Sequence, residues 1–226
     1  MATSGATAVR MTSAPAAFLD KALAIAQRLD LRRVAAVNGA AIVLLGILGV
    51  LHIVFEPRLG VFDLDGERNV PSAYSAGLWA SIALIAVLLG RVEQAPTARI
   101  WQTLSVPLLL VSADEFAEIH ERLERITGVD WQILYSPLGI VAIVLWVLVG
   151  RRLRRLGAGL GLFVAGTVCG VTSQVLEAVE YGEHDQRVAA FNELVVGEEL
   201  LELSGALLVG LAFLVALRAV RRQTRA

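Results

Sequence analysis

The sequence predicts an all-α polytopic membrane protein, a bundle of six transmembrane helices with both termini in the cytoplasm. Of its 226 residues, 56% are hydrophobic, whereas a soluble domain is about 45–50% apolar. The apolar residues are gathered into six long runs. Basic and acidic residues also occur on alternate sides of these runs.

Each apolar run is a candidate membrane helix, because a bilayer core is crossed by roughly 20 residues of α-helix. The runs cover residues 34–56, 72–90, 100–122, 133–150, 158–182 and 195–217. The third and fifth runs become strongly polar toward their C-terminal ends. We therefore expect a cytoplasmic tail over 1–33, a transmembrane domain over 34–217 and a basic cytoplasmic tail over 218–226.

The N-terminal tail does not have the pattern of a signal peptide. Its charges are scattered, and the apolar run that follows is too long for a signal sequence. Within the tail, "AFLDKALAIAQRLDLRR" places apolar residues at helical spacing opposite Lys21 and Arg28. This pattern indicates an amphipathic helix, which either lies on the membrane surface or is a solvated tail helix.

Charge bias orients the six helices. The two tails and the loops after the second and fourth runs hold 15 of the 20 basic residues, but only Asp20, Asp30 and Glu93 as acids. By the positive-inside rule these segments are cytoplasmic. The other 18 acidic residues are then expected at the outer side of a bacterial cytoplasmic membrane.

This orientation predicts that acidic residues and all three histidines meet near the outer face. Asp114, Glu118 and Glu121 form a stripe about 60° wide on a continuous third helix, and Glu198 and Glu202 share a face of the sixth. Two carboxylates about 5 Å apart repel by roughly 3 kcal/mol at an effective dielectric of 20. Such a cluster therefore needs bound metal, arginines or protons.

Carboxylates mixed with imidazoles favour iron, manganese or zinc over calcium or magnesium. The predicted metal ligands are Asp114, Glu118, Glu177, Glu180, Glu198, Glu202, His52, His120 and His184. The residues predicted to support them are Glu115, Glu121, Glu199, Tyr181 and Glu56, with Glu115 also a candidate ligand. The alternative is that these groups are solvated helix ends.

The segments "SADEFAEIHE" and "GEELLELSG" (197–205) resemble a group of uncharacterised bacterial multi-pass membrane proteins. In that group a helix with Asp-Glu, four residues and then His-Glu is followed by a late helix with Glu-Glu and a third Glu. The resemblance implies that the matching residues occur together, and it implies no reaction. They are Asp114, Glu115, His120, Glu121, Glu198, Glu199 and Glu202.

The leading functional hypothesis is a metal-dependent membrane enzyme with a di-metal carboxylate site, iron first, acting on a lipid or other hydrophobic substrate. Oxidation or desaturation is favoured, with hydrolysis if the metal is zinc. The alternatives are a proton- or cation-coupled transporter and a non-catalytic subunit of a membrane complex. We expect the lipid bilayer as a partner and no nucleic acid. A single cysteine, Cys169, excludes an intramolecular disulfide and a multi-cysteine metal site.

Overall fold

The fold is all-helical over the residues that the computed structural model describes, which are 14–55, 59–66, 68–180 and 191–223. Eight α-helices follow in chain order. They are α1 (Ala14–Arg28), α2 (Leu31–Phe55), α3 (Val70–Val92), α4 (Thr97–Ala117), α5 (Ile119–Thr127), α6 (Trp131–Leu156), α7 (Leu160–Glu180) and α8 (Phe191–Gln223). A short 3₁₀ turn, Gly60–Phe62, lies between α2 and α3.

Five of these helices are long and apolar enough to cross a membrane: α2, α3, α6, α7 and α8. Their outward faces carry large apolar side chains, such as Ile133, Ile140 and Ile143 of α6, each about two-thirds exposed. Soluble monomers rarely expose apolar patches of this extent. The composition and the structure therefore agree on an integral membrane protein.

The third predicted membrane helix is not continuous over 100–122, so that prediction is wrong in its boundary. α4 ends at Ala117, and α5 begins at Ile119. Between them Glu118 has a left-handed backbone, with φ 52° and ψ 47°. The Asp114 carboxylate accepts a hydrogen bond from the His120 backbone N–H at 2.7 Å. It thus caps the start of α5, and a capped second helix competes with continuation of the first.

Local sequence signals explain where other helices begin and end. Asn69 and Ser72 form a reciprocal capping box at the start of α3, followed by Pro71 in its first turn. Asp130 caps α6 by accepting from the Gln132 backbone N–H. α6 ends at Leu156 and is followed by Gly157, whose φ of 64° favours glycine.

The main core lies where α3, α4 and α8 pack together. Trp101 of α4 and Phe213 of α8 are fully buried and meet edge to face, with ring centroids 5.0 Å apart. α7 approaches α8 at Gly166 and Gly205, where a Cβ on Gly205 would come 2.9 Å from the Gly166 carbonyl oxygen. Small residues at this crossing let the two backbones meet, as is common in membrane bundles.

The N-terminal amphipathic helix is present as α1 and packs against the bundle. Leu23 and Ala26 are buried in the main core, while Phe18 and Ile25 remain more than half exposed. Asp20 of α1 pairs with Arg91 of α3 at 3.1 Å. The bundle therefore covers part of the apolar face of α1 and leaves the rest exposed.

Two ion pairs mark the opposite ends of the bundle. Arg152 of α6 forms two hydrogen bonds to Glu93, which follows α3, at 2.8 and 2.9 Å. At the other end Arg68, before α3, pairs with Glu118 at 2.8 Å. α4 begins just after Glu93 and ends just before Glu118, so it runs from one end of the bundle to the other.

Candidate functional site

Two carboxyl groups from different helices contact each other inside the bundle. Glu115 of α4 and Glu202 of α8 lie close enough to interact directly, and the Ser75 hydroxyl of α3 lies beside Glu115. Ionised carboxylates only accept hydrogen bonds. A hydrogen bond between the two groups therefore requires that at least one of them carries a proton.

Glu199 extends this contact into a group of three, which we call the acidic cluster (Glu115, Glu199 and Glu202). Glu199 lies on the same turn of α8 as Glu202 and experiences the charges of both other members. The acidic cluster has further acidic neighbours on the surrounding elements. They are Asp65, Asp114, Glu177 and Glu198.

Two further carboxyl groups lie beside the acidic cluster. Glu198 is buried, with 8% of its surface exposed. Glu177 accepts a hydrogen bond from the Gln174 amide at 2.8 Å, which leaves its negative charge in place. Carboxylates at this depth of a membrane bundle cost free energy unless protons or cations neutralise them.

Asp114 and His120 form a second polar group beside the acidic cluster. His120 Nδ1 lies 3.0 Å from Asp114 Oδ2, and the Tyr135 hydroxyl donates to Asp114 Oδ1 at 3.5 Å. The Trp131 ring meets the imidazole edge to face at 5.6 Å. The hydrogen bond to Asp114 raises the pKa of His120, because the carboxylate stabilises the imidazolium.

The break between α4 and α5 determines which predicted residues come together. On a continuous helix His120 would point away from Asp114, whereas the break turns its ring onto the Asp114 carboxylate. The predicted stripe of Asp114, Glu118 and Glu121 does not form. Glu118 pairs with Arg68 at 2.8 Å, and Glu121, about half exposed, lies 3.6 Å from Arg125.

His52 contacts Asp63, which is not a member of the acidic cluster. His52 is buried, and its Nε2 lies 3.7 Å from Asp63 Oδ2 in the segment after the 3₁₀ turn. Asp65, two residues further on, acts electrostatically on Glu199. This segment therefore links the two regions, since Asp63 contacts His52 and Asp65 lies near Glu199.

Four predicted site residues fall outside what the structure describes. Glu56, Tyr181 and His184 lie in segments that are not described. Glu180 is the last residue of α7, but its side chain is not described. Their predicted roles as ligands or supporting residues stay predictions.

Within the described ranges, no three His, Cys, Asp or Glu side chains are arranged to hold a metal ion. The donor chemistry is nevertheless that of a mixed oxygen and nitrogen site. Glu115, Glu199 and Glu202 could supply oxygens. His120 could supply Nε2 while its Nδ1 is held by Asp114, the usual arrangement for a metal-bound histidine.

Three neutral residues of the site were not predicted from the sequence. Ser75 contacts Glu115, the Trp79 indole lies beside Glu202, and Tyr135 contacts Asp114. Ser75 and Trp79 are four residues apart on α3, and so share a helix face. That spacing could have indicated a shared polar face on α3, but it does not indicate which helix this face would contact.

Comparison with known proteins gives a family and no function. No curated protein and no solved structure matches the chain. One family matches over residues 34–217, a range that contains the acidic cluster, Asp114 and His120. On the basis of this match, the chain belongs to the family described as "Domain of unknown function (DUF8692)".

Proposed function

We propose that the protein is a metal-dependent integral membrane enzyme whose metal is held by the acidic cluster together with His120. The observation that carries the proposal is the contact between Glu115 and Glu202. Two carboxyl groups meet there, with Glu199 and further acids around them. A divalent cation would neutralise the repulsion between these groups, which a single shared proton would only reduce.

The revised ligand set differs from the one that the sequence predicted. Glu115 becomes a ligand, and Asp114 orients His120 instead of binding the metal itself. Glu118 is left out because Arg68 already neutralises it. Glu177 is a further oxygen donor, since it experiences the charge of His120 and acts on Glu202.

Iron is the metal we favour, with manganese or zinc as alternatives, because the site offers both carboxylates and an imidazole. A bound iron would supply oxidation chemistry, and zinc would supply an activated water. His120, whose Nδ1 is engaged by Asp114, would act through Nε2 to bind the metal or move a proton. A lipid or other hydrophobic molecule is the proposed substrate, because the cluster lies between membrane helices.

We also propose six transmembrane helices, with α4 as the third, in a bacterial cytoplasmic membrane. The ion pair between Arg152 and Glu93 joins two segments that the charge bias assigns to the cytoplasm. The ion pair between Arg68 and Glu118 joins two segments that it assigns to the outer side. Both contacts support the expected grouping of these segments at the two ends of the bundle, and the charge bias assigns the end with Glu93 to the cytoplasm.

A proton-coupled transporter is the second candidate. The observation that favours it is the same contact between Glu115 and Glu202, because facing carboxyl groups inside a membrane bundle can bind and release a proton. A non-catalytic subunit is the third possibility, and it predicts neither metal nor transport. The enzyme proposal predicts a bound metal in the purified protein, whereas the transporter proposal does not require one.

Elemental analysis of the purified full-length protein tests the enzyme proposal. We expect a stoichiometric transition metal in the wild type and about tenfold less or lower in Glu115→Gln and Glu202→Gln, since each loses a ligand. Glu124→Gln is the matched control, because Glu124 is exposed on α5 and should retain the metal. Metal-free wild type that drives proton flux in liposomes would instead support the transporter. Wild type with neither metal nor proton flux would favour the non-catalytic subunit.

A further inference from the structure

A cavity lies between α1, α2, α3 and α8, away from the ion pair of Arg68 and Glu118. Its volume is about 530 Å³, within the range of about 300–1,000 Å³ usual for small-molecule sites. Its walls are almost entirely apolar. Phe18 and Ile25 line its mouth and are 61% and 53% exposed, so the cavity opens toward the surroundings of α1.

The cavity has one charged lining residue, Lys21, among the described residues that line it. Lys21 is exposed and is the only lysine of the sequence. The other polar lining groups bond within the protein: Asn38 donates to the Val34 carbonyl oxygen at 2.8 Å, and Ser81 to that of Gly77 at 2.8 Å. Lys21 is therefore the group suited to a charged ligand.

The cavity extends along α3 and α8 toward the acidic cluster. Its lining on α3 includes residues from Leu78 to Leu88, a span of about 15 Å at the helical rise. At the deep end Ala206 lines the cavity, and Glu202 lies one turn away on the same face of α8. A long apolar ligand would thus have a charged end at Lys21 and its tail near Glu202.

We propose that this cavity binds an acyl chain of an anionic phospholipid from the bilayer, with the headgroup at Lys21. The apolar walls match the chain, and the single lining cation matches an anionic headgroup. The lateral mouth beside the amphipathic helix α1 matches entry from the membrane. That this lipid is also the substrate of the acidic cluster rests on the proposed function, whereas the binding itself does not.

Binding is tested by titrating phosphatidylglycerol or phosphatidylcholine into the detergent-solubilised full-length protein and counting bound lipids by native mass spectrometry. We expect Lys21→Gln to weaken phosphatidylglycerol binding about fivefold, the effect of one basic residue at an anionic headgroup. Arg32→Gln is the matched control, since Arg32 is an exposed cation on the neighbouring α2 and does not line the cavity. Equal weakening by both variants would mean diffuse attraction and would overturn the proposal.

The single lysine allows a second test. Phosphatidylglycerol should slow amine acylation at Lys21, mapped by peptide mass spectrometry, whereas soluble glycerol phosphate should not. Protection by glycerol phosphate alone would overturn the role of the acyl chain, and so would no protection by either. In the same preparations Glu202→Gln should retain lipid binding. Wild type that binds the lipid but contains no metal would contradict the enzyme proposal alone. Wild type that contains the metal but binds no phosphatidylglycerol would contradict the cavity proposal alone.

Discussion

The guanidinium of Arg68 lies 2.8 Å from the carboxylate of Glu118, and both residues have left-handed backbones, with φ of 56° and 52°. For residues other than glycine this conformation costs about 1–2 kcal/mol each. Arg68 is about half exposed, so the ion pair returns at most about 1 kcal/mol. The cap that Asp114 provides to α5 must therefore help to hold Glu118 in this geometry.

Substitutions at Glu118 separate backbone strain from charge. Both Glu118→Gly and Glu118→Ala lose the ion pair, but only alanine keeps the Cβ that makes the left-handed backbone costly. We expect the glycine variant to be more stable than the alanine variant by about 1 kcal/mol, measured by denaturant unfolding in detergent. An alanine variant as stable as the glycine variant would contradict the break between α4 and α5.

Removing one of the two facing carboxyls should stabilise the protein while it disables the site. Glu115→Gln keeps a hydrogen-bonding partner for Glu202 and needs no shared proton. In metal-free protein we expect it to raise the free energy of unfolding at pH 8 by about 1 kcal/mol, as is common when a functional site loses unfavourable charge. Glu124→Gln serves as the control, and a Glu115→Gln variant that is destabilised relative to it would argue against the carboxyl contact.

The helices could be predicted from the sequence because a membrane span is a property of one segment. The apolar runs and the capping residues Asn69 and Asp130 are local signals, and the structure has helices at all six runs. The break at Glu118 could not be predicted in this way. It depends on Asp114 folding back onto His120 and on Arg68, which is 50 residues away in sequence.

Only part of the site could be predicted from the sequence, because its composition also depends on which helices pack together. Helical spacing identifies residues that share a face, such as Glu198 and Glu202, but not which helix that face meets. Glu115 was assigned a supporting role because it flanked the expected stripe, and the packing of both α4 and α8 against α3 brings it to Glu202. His120 appeared misplaced on a continuous helix, and the break brings it to Asp114.

The contact between Asp114 and His120 makes stability depend on pH. The pKa of His120 is raised in the folded state, so the folded protein binds this proton more tightly than the unfolded chain. The contribution is complete below the unfolded pKa of about 6.5 and is lost as pH rises through the folded pKa. We expect the free energy of unfolding of the metal-free wild type to exceed that of metal-free Asp114→Asn by about 2 kcal/mol at pH 6 and by less at pH 9.

Denaturant unfolding at the two pH values measures this difference, and His120→Gln is its control. The glutamine variant cannot bind the proton, so replacing Asp114 in that background should cost the same at pH 6 and pH 9. A gap between wild type and Asp114→Asn that widens as pH rises would show that His120 is neutral in the folded state.

Among the described ion pairs, the contact between Arg152 and Glu93 should contribute most to the free energy of unfolding. The Glu93 side chain is 6% exposed and accepts two hydrogen bonds from Arg152, whereas Arg151 is exposed. Arg152→Ala leaves a buried carboxylate without its partner, which should cost about 3–5 kcal/mol, against about 0.5 kcal/mol or less for Arg151→Ala. The double variant Arg152→Met with Glu93→Gln should recover most of the loss, because it removes both charges together. Equal unfolding free energies for the two single variants would mean that this contact does not join α6 to the end of α3, and the proposed shared cytoplasmic side of these segments would lose its main support.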